Sequence, residues 1–426
     1  MNRNTQSKTF SSILQTPFLK GGIGAMDQAL TAFTHFLLTI MVARSLGAVA
    51  LGEFASAYAI LVMAQMTHSA ILAESYSVID LRNCGTRKGQ ATILLSISIF
   101  GSILILALLL FLYYICRLNV LRIAVSPSFL TALTLSSLFW VARPLLYRHD
   151  RVISSFLITA VYSLTLITSI FLAHSIFDYP FSPFWFIALG AFTAAISLLC
   201  IVFPARISFI EGRFFVKSVF QYGKWGFPAA IAIWIVNNGY FILMPIFRSY
   251  EDVAGLKAVL NFLFPLNHVI NGAVLWILPW LASFLRNNKV YHFHGQIRII
   301  VFLSFGLAFL FSLPVIVLSN HLLVAFYGDF FGKYATSLTC AAFFLPVLWS
   351  ITAVFRAAIR AMSLPNKVFR AYATALLPVG AIMMVYGSTH GPLASVFGII
   401  ITQFIIFVWF WKNYFLELRN LQAFAK

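Results

Sequence analysis

The chain is poor in charge, and poorest in acids. Of 426 residues only 9% are charged, with 11 Asp or Glu, while 61% are apolar. Soluble domains carry about 25% charged residues. So few charges cannot cover a water-facing surface of this size, which excludes a soluble enzyme, a secreted scaffold and a disordered chain. Cysteine is scarce too. Cys84, Cys116, Cys200 and Cys340 are scattered without metal or disulfide spacing and read as small apolar residues. No G-x-x-x-x-G-K-[ST] loop occurs, so ATP hydrolysis by that route is excluded. Ten-residue segments of alternating polarity, the mark of a transmembrane barrel, are absent as well. These absences point to an all-α, polytopic membrane protein.

What the chain does have is long apolar runs. A spanning helix needs about 20 such residues, and twelve runs qualify. They cover 21–44, 53–79, 90–115, 127–147, 152–176 and 183–204, then 223–246, 254–284, 297–319, 334–360, 367–388 and 392–414. Orientation follows from Lys and Arg in short loops. With the N-terminus in the cytoplasm, 23 of the 29 basic residues fall on the inner side and 6 on the outer, so both termini are expected inside. The net charge of +18 is then a topology signal facing anionic headgroups, and no indication of nucleic acid.

The first twenty residues, with Arg3, Lys8 and Lys20, do not read as a cleavable signal. Residues 1–20 are expected as a cytoplasmic amphipathic tail, and 205–222 as a cytoplasmic interfacial linker, with Arg206, Arg213 and Lys217 set among phenylalanines. The linker divides an N-terminal lobe, 21–204 (spans one to six), from a C-terminal lobe, 223–414 (spans seven to twelve). Residues 415–426 form a cytoplasmic tail. A faint repeat supports the division. Gly22, Arg44 and Gly52 in the first half match Gly226, Arg248 and Gly255 in the second, the arginine following the first glycine by 22 residues each time. Parallel repeats of this kind are a transporter signature.

Polar residues are costly in lipid, so their placement is informative. Span one carries Asp27, Gln28, Thr31, Thr34 and His35, of which Asp27, Thr31, Thr34 and His35 share a face at 3.6 residues per turn. Span two carries Gln65, His68, Ser69 and Glu74. Span seven carries Asn237 and Asn238, and span eight Asn261, Asn267, His268 and Asn271. These are equivalent pairs of spans in the two halves, and their polar faces are expected to line a common central cavity. Taken singly, each residue is as well read as interhelical glue. Arg44 and Arg248 near helix ends are open to snorkelling. Arg143 and Arg356, a turn inside spans four and ten, point either to the cavity or to headgroups. Asp27 and Glu74 are the candidates for gating or coupling, with an H+ or Na+ gradient as the energy source and no cofactor.

Residues 21–60 resemble the first two spans of bacterial polysaccharide exporters. The carriers of the resemblance are a helix rich in small residues, the turn Val42-Ala43-Arg44 with Leu46-Gly47, and Gly52-Glu53-Phe54. That group, the Wzx-like O-antigen flippases, belongs to the MOP superfamily, which also holds the multidrug MATE transporters and the lipid II flippases. The resemblance implies a V-shaped, non-enzymatic transporter in the bacterial inner membrane. Its central cavity would open alternately to each side and carry an undecaprenyl-diphosphate-linked oligosaccharide, a precursor of lipopolysaccharide or exopolysaccharide, to the outer leaflet. It also implies a cationic lining, here Arg44, Arg143, Arg248 and Arg356, a monomer, and glycan polymerase and assembly machinery as partners. A diphosphate leaving headgroup water needs cations and donors, and Asn and Gln suit sugar hydroxyls. A MATE-type drug antiporter is the first rival, because an acid in span one is compatible with it, although several arginines would repel cationic drugs. A major-facilitator carrier fits less well, since Asp80, Gly85, Arg87 and Lys88 miss its loop spacing. A glycan polymerase, ligase or acyltransferase would be expected to display catalytic groups on a large outer loop, and every expected outer loop is short.

Overall fold

Where lipid offers no hydrogen bonds, a run of apolar residues must satisfy its backbone internally, and helix is the economical solution. The computed structural model describes residues 17–73, 76, 87–116, 122–148, 151–176, 182–201, 209–362 and 364–424. Among them there is no strand. The main helices are α1 (Pro17–His68), α2 (Arg87–Cys116), α3 (Pro127–Arg148), α4 (Val152–Ile176), α5 (Pro183–Ile201) and α6 (Phe209–Phe247). They continue as α7 (Tyr250–Asn261), α8 (Phe264–Arg286), α9 (Val290–Val317), α10 (Ser319–Tyr327), α11 (Ala335–Ala361), α12 (Pro365–Thr374) and α13 (Leu376–Phe424). Among the described residues nine helices are long and apolar enough to cross a membrane. The pair α7 and α8, bent by 48°, makes a tenth.

Two helices are broken rather than straight. α1 turns at Gly47, where φ is 86°, and α13 turns at Gly391, where φ is 52° and Pro392 follows. Both are left-handed positions that only glycine adopts without strain. The sequence repeat now has a physical reason at its last glycine. A Cβ on Gly52 would lie 1.8 Å from the carbonyl oxygen of Tyr250, so the second arm of α1 meets the start of α7 backbone to backbone. Gly255 in α7 similarly faces the ring of Tyr334, 2.5 Å from where a Cβ would sit.

α1 is the axis of the molecule. It packs against α3 and α4 of the first half and against α6, α7 and α8 of the second. Two hydrogen bonds tie its second arm to α6: Ser56 Oγ donates to the carbonyl of Phe241 at 2.8 Å, and Trp234 Nε1 donates to that of Ala59 at 2.7 Å. The apolar surface lies outside. α2 exposes Phe100, Ile103, Leu104 and Phe111, and α9 exposes Phe302, Leu303, Leu310 and Val317, the face expected toward acyl chains. Helix ends differ from the sequence reading in two places. The residues expected as a tail beyond 414 continue α13 to Phe424, and the helical part of the expected linker is continuous with α6 from Phe209. Residues 1–16 and 202–208 lie outside the described residues.

Candidate functional site

The buried charges gather where α1 meets both halves. Asp27, on the first arm of α1, is fully buried. Its Oδ2 accepts from Arg143 Nε at 3.0 Å, lies 2.9 Å from Arg143 Nη2, and also accepts from the Tyr147 hydroxyl and from Ser155 Oγ at 3.4 Å. One carboxylate oxygen thus binds α1 to α3 and α4. Its neighbour Oδ1 is buried without a hydrogen-bond partner among the described residues. The spacing on α3 makes this work: Phe139, Arg143 and Tyr147 recur every four residues and present one face. The Arg143 guanidinium also sits over the Phe139 ring, 5.7 Å from its centroid.

Two turns along α1, His35 Nε2 and the Tyr162 hydroxyl are 3.2 Å apart, and the imidazole lies against the Tyr58 ring at 5.3 Å. Beyond Tyr58 comes Lys257 of α7, which is 5% exposed. Its ammonium faces the rings of Tyr58, Phe264 and Phe241 at 5.0, 5.2 and 5.8 Å. A cation held by three aromatic faces is stabilised by their quadrupoles without neutralisation of its charge. His268 of α8 lies within electrostatic reach of His35, Arg143 and Lys257. The result is a charged row joined partly by contact and partly by electrostatic reach, Asp27, Arg143, His268, His35 and Lys257, drawn from both halves, with His35 and His268 half-buried. In it a single carboxylate stands against an arginine and a lysine.

The remaining expected residues divide. Asn261 Nδ2 donates to Thr39 Oγ1 at 2.5 Å and to the Tyr327 hydroxyl at 2.6 Å, joining α7 to α1 and α10 beside the row. His68 turns away from the second half. Its Nδ1 is 2.8 Å from the carbonyl of Ala64, and its Nε2 is 3.0 Å from that of Ser98. Asn237 accepts from Gln403 Nε2 at 3.0 Å inside the second half. These two act as interhelical ties. Thr31 and Thr34 donate to carbonyls one turn back in their own helix, which satisfies their hydroxyls within α1. Gln65, Asn238 and Asn267 are half-buried. Glu74 and the side chain of Asn271 lie outside the described residues.

Of the four expected arginines, only Arg143 stands in the row. Arg44 is exposed and caps α10: its Nε donates to the Phe326 carbonyl at 3.0 Å, and Nη2 to those of Val324 and Ala325 at 3.2 and 2.5 Å. Arg248 is exposed and pairs with Asp252 at 2.8 Å, four residues on. Arg356 Nη1 donates to the Tyr372 hydroxyl at 3.1 Å. The residue that sequence reasoning missed is Lys257. It lies within the eighth expected span, and the distribution of basic residues by side assigns it to the outer six. The available signal was its place within the run Val253–Leu260, where the other residues are apolar or Gly.

No protein-family model matches the sequence, and neither does any curated protein. Solved structures do match its fold. An inward-facing multidrug resistance MATE family transporter of the MOP superfamily superposes with a TM-score of 0.74 at 13% identity, over 96% of this chain and 99% of that one. The lipid II flippase MurJ, in an inward closed conformation, gives 0.69 at 13%, over 96% and 91%. A MOP superfamily transporter from Pyrococcus furiosus, described as having a binding pocket of reverse polarity that suggests a different function, gives 0.67 at 13%, over 95% and 97%. The chain is similar to all three over nearly its whole length, and its fold is that of the MOP-superfamily transporters.

Proposed function

We propose that this protein is a MOP-type transporter that carries an anionic lipid-linked oligosaccharide, of the undecaprenyl-diphosphate type, from the inner to the outer leaflet of a bacterial inner membrane. The observation that carries this reading is the charged row between the halves, in which buried Arg143 and Lys257 outnumber the one carboxylate, Asp27. A cationic drug would meet Arg143 and Lys257, whereas a diphosphate would gain from both. On this proposal the two arms of α1, the bent pair α7 and α8, and the segment from Pro365 to Gly391 each count as spans, which makes twelve and keeps both termini on one side, taken as the cytoplasm. In this reading Lys257 and Arg143 take the phosphates and His268 and Asn261 stand at the sugar side. Asp27 holds Arg143 in place, and rocking of the halves about α1 moves the cargo with no chemical step. Partners beyond the cargo would be the enzymes that make and polymerise the glycan.

The second reading, a MATE-type drug antiporter, is favoured by the buried carboxylate on α1. One experiment separates them. The purified protein in vesicles is given a fluorescent polyprenyl-diphosphate sugar, and accessibility to an impermeant quencher reports flipping. Lys257→Gln should lower the rate at least tenfold, about 1.4 kcal/mol of barrier, and Lys257→Arg should keep most of it. Unchanged flipping in Lys257→Gln, or resistance to cationic drugs conferred on a pump-deficient strain, would overturn the proposal.

A further inference from the structure

Beside the charged row lies a second, apolar site. Between α1, α8, α9 and α10 is an open apolar cavity, more a groove than an enclosed chamber, of about 290 Å³. Its walls include Phe36, Phe262, Pro265, Phe311, Pro314 and Phe326. Phe36, Phe262 and Phe326 close one side as a triad of edge-to-face rings with centroids 5.6 to 5.8 Å apart. Its mouth is on the lipid side, where Leu318 and Phe326 are 45% and 39% exposed. The volume is at the small end of ligand pockets, enough for part of one hydrocarbon chain.

The cavity shares its walls with the charged row. Neighbouring residues on a helix point about 100° apart, so α1 presents His35 to the row and Phe36 to the cavity. The start of α8 does the same: Phe264 faces Lys257, and Pro265 lines the cavity. An anionic head and an apolar tail joined covalently would therefore find both sites within a few residues. The cavity reaches from the break in the α7–α8 pair toward the α10 end, where Arg44 caps. By the distribution of basic residues that is the outer half of the bilayer.

We propose that this cavity holds the first part of the cargo's isoprenoid chain once the head has reached Lys257, so that the tail is seated in the leaflet toward which the cargo leaves. The proposal rests on the anionic-lipid reading for its head group. Aromatic and proline walls are rigid, and they suit a stiff branched chain better than the paired flexible acyl chains of a phospholipid.

The test places a photo-crosslinking benzoylphenylalanine at Leu318 of the full chain in vesicles, with a control at Phe302 on the exposed face of α9. Alkyne-tagged undecaprenyl diphosphate should label position 318. Excess untagged undecaprenyl diphosphate should abolish that labelling, and excess phosphatidylglycerol should not. Position 302 should respond to both competitors alike. Equal competition at 318, or equal behaviour of the two positions, overturns the cavity's role. Tagged undecaprenol, which lacks charge, separates the two proposals. If both hold, the diphosphate labels 318 at least tenfold more strongly, and Lys257→Gln removes the difference. If only the cavity holds, undecaprenol labels as well as the diphosphate and Lys257→Gln changes nothing.

Discussion

Asp27 and Arg143 offer the sharpest test of how the first half is held together. The perturbation is a double-mutant cycle of Asp27→Asn, Arg143→Met and the pair. Asp27 is fully buried and Arg143 is 8% exposed in its side chain, and their contacts of 2.9 and 3.0 Å converge on one oxygen. Removing one member strands a buried charge, which costs about 3–5 kcal/mol, while replacing both leaves none and is close to neutral. With each single costing about 3 kcal/mol or more and the pair close to neutral, the expected coupling is about 6 kcal/mol, beyond the ~0.5–3 kcal/mol usual for contacting residues. That magnitude discriminates, because ordinary interhelical hydrogen bonds in membranes average only about 0.6 kcal/mol. Unfolding by SDS in mixed micelles, followed through the fluorescence of the nine tryptophans, gives the free energies. The coupling should also survive about 0.5 M salt, since buried pairs are weakly screened. Single variants each costing under ~1 kcal/mol, or a pair additive within ~0.5 kcal/mol, would refute the reasoning.

Gly52→Ala should abolish monodisperse protein on detergent size exclusion, because the clash is with the Tyr250 backbone, and Gly255→Ala should impair it by pushing on Tyr334. Gly295→Ala, with open space around it, should leave the profile unchanged. Asn261→Ala should cost ~1 kcal/mol in the same SDS titration, since Thr39 Oγ1 and the Tyr327 hydroxyl each lose one donor in a buried site while Thr39 keeps its bonds to the carbonyls of His35 and Phe36.

Much of this architecture is legible in the sequence because lipid leaves so few alternatives. Long apolar runs must be helices, and the run over 152–176 coincides with α4 to the residue. Asp27 and His35 stand out as polar residues on one helical face, and both belong to the charged row. Partners are the part that periodicity does not reach. Arg143 lies 116 residues from Asp27, and only the packing of α3 on α1 brings them together. Counting basic residues by side treats every lysine as loop charge, which is how Lys257 escapes notice. The same blindness affects Arg44, whose partners are main-chain oxygens that any sequence would supply. Span breaks are partly visible. Gly47 and Gly391-Pro392 carry breakers, yet the bend after Asn261 falls within an apolar stretch and is announced only by Pro265.

The cap made by Arg44 has a property that sets it apart from the rest of the polar framework. Its three acceptors are peptide carbonyls of Val324, Ala325 and Phe326, so the fastening joins the first half to the second with no group that ionises near neutral pH. A change of side chain at 324 or 325 leaves these acceptors in place, whereas the arginine cannot become lysine without losing the fork that spans successive oxygens. A clasp of this kind has one moving part on each side. To open this end of the molecule, α10 must leave the Arg44 guanidinium with all three oxygens together.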